Sequence, residues 1–375
     1  MENAVKSKQR NVPFFDYPSV YKDHREHFLK IFDDVCSRGA FIMQSELSTF
    51  ETNLARFAGS RYAIGVANAT DALQMLLMAA GIKQGDEVII SSHTMVATAS
   101  AIHFAGGIPV PVDVGYDRLI DVNKIEGAIT SKTKAIMPTQ LNGRVAEMDR
   151  IKKIADENNL VIFEDSAQAL GAKFDGISAG NFGVGGCISF YPAKVLGCFG
   201  DGGAILCNDE SIYNHLLLLR DHGRDSSGEV VVWGLNSRLD NLQAAFLDYG
   251  LSHYGAVIER RREMARIYHD NLSGIDELAL PPPPSIDGRH FDIFQNYEIQ
   301  ADNRNKLRDH LRNNGIGSLI QWGGYPVHSF KKLGFTQELK HTDELFTKFL
   351  MMPLNMSVTD QDIEYVCEAI RRFYR

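Results

Sequence analysis

The sequence predicts an α/β protein with a mostly parallel central sheet, and three observations point there. Short apolar runs of strand length recur at 62–67, 87–91, 108–113, 134–138, 161–163 and 204–207. The stretches between most of them carry apolar residues at helical spacing. Polar turns follow several of the strands, at the end of a parallel sheet where ligands sit. With 375 residues the chain can bury a sizeable core. A large domain over 1–250 and a smaller C-terminal α+β domain over 251–375 are expected, with the N-terminal segment free to pack on the smaller one.

In chain order, residues 1–12 are polar and expected to be loose. Tyr21, Phe28, Ile31, Phe32 and Val35 repeat as one face of a helix over 20–36, and a second helix is expected over 48–57. The strand at 62–67 runs into Asn68-Ala69-Thr70 and a helix over 71–80 that stops at Gly81. Helices are predicted over 122–129, 148–157 and 212–219, a strand at 187–190, and a mobile loop at 225–229. A long helix over 241–272 links the two domains, and the prolines at 281–284 mark a turn or linker. A strand at 294–300 and a helix over 304–313 follow. The closing helix has Thr359 and Asp362 as a capping box, with Ile363, Val366 and Ile370 on its inner face.

Composition excludes several classes of function. A hydrophobic fraction of 44% and a charged fraction of 23% are ordinary for a globular protein, and a net charge of −8 disfavours a general nucleic-acid or membrane surface. The five cysteines have no metal-ligand spacing and are too few for a disulfide scaffold. No apolar signal core opens the chain and no run of 18 apolar residues follows, so a cytoplasmic protein is expected. Asp113, Gly115 and Asp117 imitate a calcium loop, but Arg118 and Lys124 stand where glycine and glutamate are required. No metal site is expected. The glycines at 180–186 precede a strand and do not spell a dinucleotide fingerprint.

The chemistry concentrates in 160–208. The buried strand there ends in Glu164 and Asp165, and the next leads past Ser189 to Lys194 and a glycine-rich turn at 197–203. Tyr191, Pro192, Val195, Leu196 and Phe199 surround Lys194 in sequence, a desolvating setting that favours a neutral, nucleophilic amine. An amine and an acid at neighbouring strand ends suit pyridoxal phosphate, which takes a lysine on its aldehyde and an acid at its ring nitrogen. The turn before the helix at 71–80 is a second feature: N–H groups at 69–71 and the Thr70 hydroxyl face outward from a helix N-terminus, an anion site or an ordinary cap.

The segments EDSAQALGA and SFYPAKVLGCFGDGGA, with ANATDALQ, HTMVAT and GLNSRLDNLQAA, closely resemble the pyridoxal-phosphate-dependent nucleotide-sugar aminotransferases of the DegT/StrS type. The resemblance implies a fold-type I transferase, with Lys194 and Asp165 catalytic and Ala69, Thr70 and Ser189 on the cofactor phosphate. It puts Gln168 on the ring's phenolic oxygen and Met95 where an aromatic residue commonly stacks on the ring. It implies a homodimer with shared active sites, Asn236 reaching the partner's cofactor phosphate. Arg238 is suited to clamp the donor's carboxylate or to form an interface salt bridge. Tyr325 and His328, in a segment that departs from the family's histidine-tyrosine-proline pattern, are candidates for contact with sugar or nucleotide, with packing as the alternative. The activity implied is transfer of an amine from glutamate to a nucleotide-linked keto-sugar, with C4 of dTDP-4-keto-6-deoxyglucose, for surface polysaccharide or O-antigen, as the first expectation. C3 amination and a non-catalytic sugar-nucleotide-sensing regulator are the alternatives.

Overall fold

The computed structural model describes residues 10–284 and 288–375. Most of the segment expected to be loose, residues 1–9, lies outside them. Val12 instead pairs with Ile316 and is buried in the C-terminal core.

Helices α1 (Tyr17–Ser37) and α2 (Ser45–Ala58) precede strand β1 (Tyr62–Val66). Then α3 (Ala69–Ala79), β2 (Glu87–Ser91), α4 (Val96–Phe104), β3 (Ile108–Val112), β4 (Thr133–Met137), α5 (Met148–Glu157) and β5 (Val161–Asp165) alternate. A small hairpin, β6 (Lys173–Phe174) and β7 (Ile177–Ser178), leads to β8 (Gly185–Ser189), β9 (Gly203–Cys207) and α6 (Glu210–Arg220). The central sheet has the order β1-β9-β8-β5-β4-β2-β3, and among its strands β9 alone runs against the rest. The mostly parallel expectation therefore holds. Pro109 and Pro111 lie in β3, at the sheet edge, where a missing N–H costs no ladder bond.

Alternation along each strand splits the core in two. Ile89, Ile136, Ile162 and Ile188 pack on one face with α2, α5 and α7 (Asn241–Leu272), while Val88, Ile90, Phe163 and Cys187 pack on the other with α3 and α4. The long helix α7 buries Leu247, Leu251, Tyr254 and Ile258 in the first of these cores. Further along the same helix, Met264, Tyr268 and Leu272 enter a separate core. That core lies under the sheet of β10 (Leu278–Ala279), β12 (Tyr297–Ala301) and β13 (Phe349–Met352), with α8 (Arg304–Asn313) and α10 (Asp360–Tyr374). Strand β11 (His290–Phe291) extends the hairpin of β6 and β7, and α9 (Lys340–Lys348) precedes β13. The α10 capping box forms as expected. The Asp113 carboxylate accepts from Thr342 N at 2.7 Å and Thr342 Oγ1 at 2.6 Å.

Two local expectations, the helix over 122–129 and the strand at 294–300, are corrected. The helix over 122–129 is two 3₁₀ turns, Val122–Lys124 and Glu126–Ala128, because Asp121 caps Asn123 and Gly127 offers little to propagate a longer helix. The turn at 225–229 carries its own hydrogen bonds: Asp225 Oδ1 accepts from Ser227 N, Ser227 Oγ and Glu229 N. The strand expected at 294–300 begins only at Tyr297, because Phe294 adopts φ +52.

Candidate active site

Strand β5 delivers two consecutive carboxylates to opposite faces, and their hydrogen bonds separate their uses. Glu164 is fully buried and accepts from Gln140 Nε2 at 2.7 Å, Gly180 N at 3.0 Å and Phe182 N at 2.7 Å. It ties the loop at Gln140 to the loop at 180–182. Asp165, 5% exposed, faces a cavity of about 610 Å³ at the carboxyl ends of the parallel strands. Lys194, from the turn after β8, lines the same cavity. Burial holds its amine below the ordinary lysine range, while the nearby Asp165 charge opposes the shift.

Asp165 is held by side chains that the sequence did not point to. Thr98 Oγ1 donates to Asp165 Oδ2 at 2.6 Å. Thr94 Oγ1 lies 2.7 Å from Thr98 Oγ1, and Thr139 Oγ1 donates to Thr94 Oγ1 at 2.9 Å. Because Thr98 spends its only proton on the carboxylate, Thr94 must donate to Thr98. Three hydroxyls thus point one way, toward the acid, and polarise one another. On the other oxygen, Asp165 Oδ1 accepts from Ala167 N at 3.2 Å and from the Cys187 thiol at 3.5 Å. Burial and the Asp165 charge push that thiol well above its ordinary range, keeping it a proton-bearing neighbour. HTMVAT carries no helical signal for the pair, because Thr94 precedes Met95, the N-cap of α4, and only Thr98 lies within the helix. Replacing Thr98 with valine should lower turnover about tenfold, the worth of one hydrogen bond to a charged group, while serine should restore it. Steady-state kinetics on the two variants check this.

At the N-terminus of α3, Asn68 Oδ1 accepts from Asp71 N at 2.9 Å. The expectation of three outward donors is therefore reduced to two, Ala69 N and Thr70 N, which have no hydrogen-bond partner among the described residues. Gly203 of β9 lets this turn come close: a Cβ there would stand 2.5 Å from the Asn68 carbonyl carbon. Ala69, Thr70 and Ser189 line the cavity together, giving paired amides and hydroxyls for an anion. Gln168 is oriented by the backbone: its Oε1 accepts from Asn142 N at 2.9 Å, leaving its NH₂ to serve a ligand oxygen. Met95, 52% exposed, lines the same wall. An amine, a carboxylate and an anion cradle around one ring-sized space match the aldehyde, ring nitrogen and phosphate of pyridoxal phosphate.

The remaining candidates lie elsewhere in the chain. Asn236 pairs with Asp221 in an isolated bridge, and Arg238 Nη1 donates to Asp221 Oδ1 at 3.0 Å. Neither lines this cavity. Tyr325 is exposed and also stands outside it. His328, 3% exposed, has both ring nitrogens engaged, Nδ1 at 2.7 Å from Ser92 Oγ and Nε2 at 3.1 Å from Asp343 Oδ1. Of the two uses considered for it, that geometry is packing. The same stretch of chain does reach the cavity, but through Leu319, Ile320, Gln321, Trp322 and Gly323 and not through Tyr325 or His328.

A model of the DegT/DnrJ/EryC1/StrS aminotransferase family matches residues 22–371. The dTDP-3-amino-3,4,6-trideoxy-alpha-D-glucose transaminase of Streptomyces venezuelae is 36% identical over 327 residues, covering 87% of this chain and 85% of its own. A pleiotropic regulatory protein of Geobacillus stearothermophilus is 35% identical over 370 residues, covering 97% and 99%. The crystal structure of S. venezuelae DesV is 33% identical with a TM-score of 0.93, covering 97% of this chain and 99% of that one. With this likeness running nearly end to end, and a lysine, an acid and an anion cradle meeting in one cavity, the chain belongs to the DegT/DnrJ/EryC1/StrS aminotransferase family and is a pyridoxal-phosphate-dependent sugar aminotransferase.

Proposed function

We propose that the enzyme moves an amino group from glutamate to the 3-keto carbon of a nucleoside-diphosphate-linked sugar. The observation that carries the reaction type is the convergence of Lys194, Asp165 and the α3 N-terminus on one cavity. Position C3 is supported by relatives whose names give it: the S. venezuelae transaminase and aminotransferases named for 3-oxo and 3-dehydro UDP-sugars. Amination at C4 of dTDP-4-keto-6-deoxyglucose is the other outcome of the test. A non-catalytic sensor on this fold would leave the lysine, the acid and the cradle without a use.

The bound cofactor supplies an aldehyde for the lysine and a protonated ring that withdraws electrons from the substrate. Lys194 Nζ would hold its aldehyde and, when free, would move a proton to and from the donor's α-carbon. Asp165 keeps the proton on the ring nitrogen, and the three-threonine chain keeps Asp165 an acceptor. Ala69 N, Thr70 and Ser189 take the phosphate. Gln168 would donate to the phenolic oxygen, and Met95 would pack on the ring face.

A second copy of the chain completes the site in this reading. Lys194 is the only cationic side chain among the described residues lining the cavity, which also holds Asp201. A diphosphate and a donor carboxylate need more positive charge than that. The 230–233 segment, close before Asn236 and Arg238, exposes Val230, Val231 and Trp233, the last at 94%. An apolar segment of that exposure fits a subunit interface, and from it Asn236 and Arg238 would enter the partner's cavity.

The test is incubation of the holoenzyme with glutamate and a panel of 3- and 4-keto nucleotide sugars, reading product mass and amine position. Amination of 3-keto substrates at least tenfold faster than 4-keto ones is expected. A preference for 4-keto substrates would overturn the C3 assignment while leaving the transaminase reading intact.

A further inference from the structure

The lysine turn is gripped from the C-terminal part of the chain. Gln295 comes from the segment just before β12 and is only 7% exposed. Its Nε2 donates to the carbonyl of Ala193 at 3.0 Å, and its Oε1 accepts from Val195 N at 3.0 Å. One side-chain amide therefore holds the residues immediately before and after Lys194. Both of its roles are spent on backbone, so its orientation is determined by those partners.

The grip is itself anchored. Phe294 sits at φ +52, in the left-handed region that a bulky side chain rarely adopts, and the surrounding contacts must hold it there. Arg261 of α7, itself buried, donates from Nε to the Phe294 carbonyl at 2.8 Å and from Nη2 to the Gln295 carbonyl at 2.7 Å. On the opposite side Ile293 N donates to the Gly143 carbonyl at 2.9 Å. Gly143 permits the approach: a Cβ there would stand 2.7 Å from Gln295 N and 2.9 Å from Phe294 N. The next residue, Asn296, donates to Asn142 Oδ1 at 2.9 Å, and Asn142 N is the donor that orients Gln168. A strained tetrapeptide, 293–296, thus touches the supports of two groups that face the cofactor cavity.

We infer that Gln295 is a positioning residue for Lys194: by pinning the peptide groups on both sides, it fixes where the lysine side chain starts and so where Nζ can reach. Small misplacements of a reacting group cost large factors in rate, which gives such a clamp its value. The inference rests on Lys194 being the amine that holds the cofactor.

Two substitutions test it on the holoenzyme. Gln295→Ala removes both bonds. Turnover should fall on the order of tenfold or more, with KM for glutamate changed less than about threefold, as expected when a reacting group is misplaced. The pH at which the bound cofactor's colour titrates should also move. Gln295→Glu is nearly isosteric, but as a carboxylate it cannot donate to the Ala193 carbonyl, whereas its protonated form restores one donor and one acceptor. Its turnover relative to wild type at each pH should therefore rise as pH falls.

Wild-type turnover and colour titration in Gln295→Ala would overturn the inference. So would a Gln295→Glu ratio that is flat with pH, which keeps the test decisive if the alanine variant does not fold. A lowered melting temperature with unchanged turnover per folded molecule would make the residue merely structural and count equally against it. Failure of the underlying reading looks different: the wild-type protein would then keep its colour when Lys194 is replaced by alanine.

Discussion

Lys194→Ala should give a folded protein that does not develop the wild type's yellow colour with pyridoxal phosphate and whose turnover falls by at least the order of 10⁴. Two roles are lost together, the covalent anchor and the proton carrier, and no other lysine lines the cavity among the described residues. The fold should survive, because the turn is held by backbone bonds that this side chain does not make: Lys194 N to the Tyr191 carbonyl at 2.8 Å and Cys198 N to the Phe190 carbonyl at 2.8 Å. The wild-type amine is held below the ordinary lysine range by burial. Lowering that value enlarges the neutral fraction at any given pH, so capture of the aldehyde should persist to lower pH than for a solvated lysine. Absorbance titration of apo-protein with cofactor, alongside turnover, checks all of this.

The second large effect concerns Asp165. Replacing it with alanine should keep the lysine-bound colour but lower turnover on the order of 10² to 10³, the range for losing a preorganised charge at the reacting centre. Without the carboxylate the wall loses the charge that would hold a proton on the ring nitrogen, and the neighbouring Glu164 cannot substitute. Its oxygens are taken up by Gln140, Gly180 and Phe182 on the other side of β5. Asp165→Asn preserves size but not charge and should be nearly as poor. Single-turnover rates with glutamate measure the loss. An asparagine variant as fast as wild type would show that charge is not what the residue contributes.

Much of this is legible in the sequence because the informative features are local. A buried strand ending in acids, a lysine after the next strand and a polar turn before a helix each occupy a few consecutive residues. The structure gathers Ala69, Thr70, Met95, Asp165, Gln168, Ser189 and Lys194 around one cavity. Helices α5, α7 and α8 appear at the boundaries their periodicity predicts. Helix α4 escapes the pattern, since VATASAIHF is apolar on nearly every side and lacks the polar stripe that marks a surface helix. Strand β13 follows α9 directly, so its four apolar residues have no turn to set them off. The supports of the site are invisible for a different reason. Thr139 meets Thr94 across 45 positions, and Gln295 meets Ala193 across 102. Neither local sequence carries a sign that its hydroxyl or amide will bond to so distant a partner.

Whether a single amine carries the cofactor is measured most directly by reducing the holoenzyme with borohydride, digesting it and mapping the pyridoxyl label by mass spectrometry. The label should fall on the peptide containing Lys194, in close to one copy per chain. A label on a different lysine, or holoenzyme that retains full colour yet yields no labelled peptide, would contradict it.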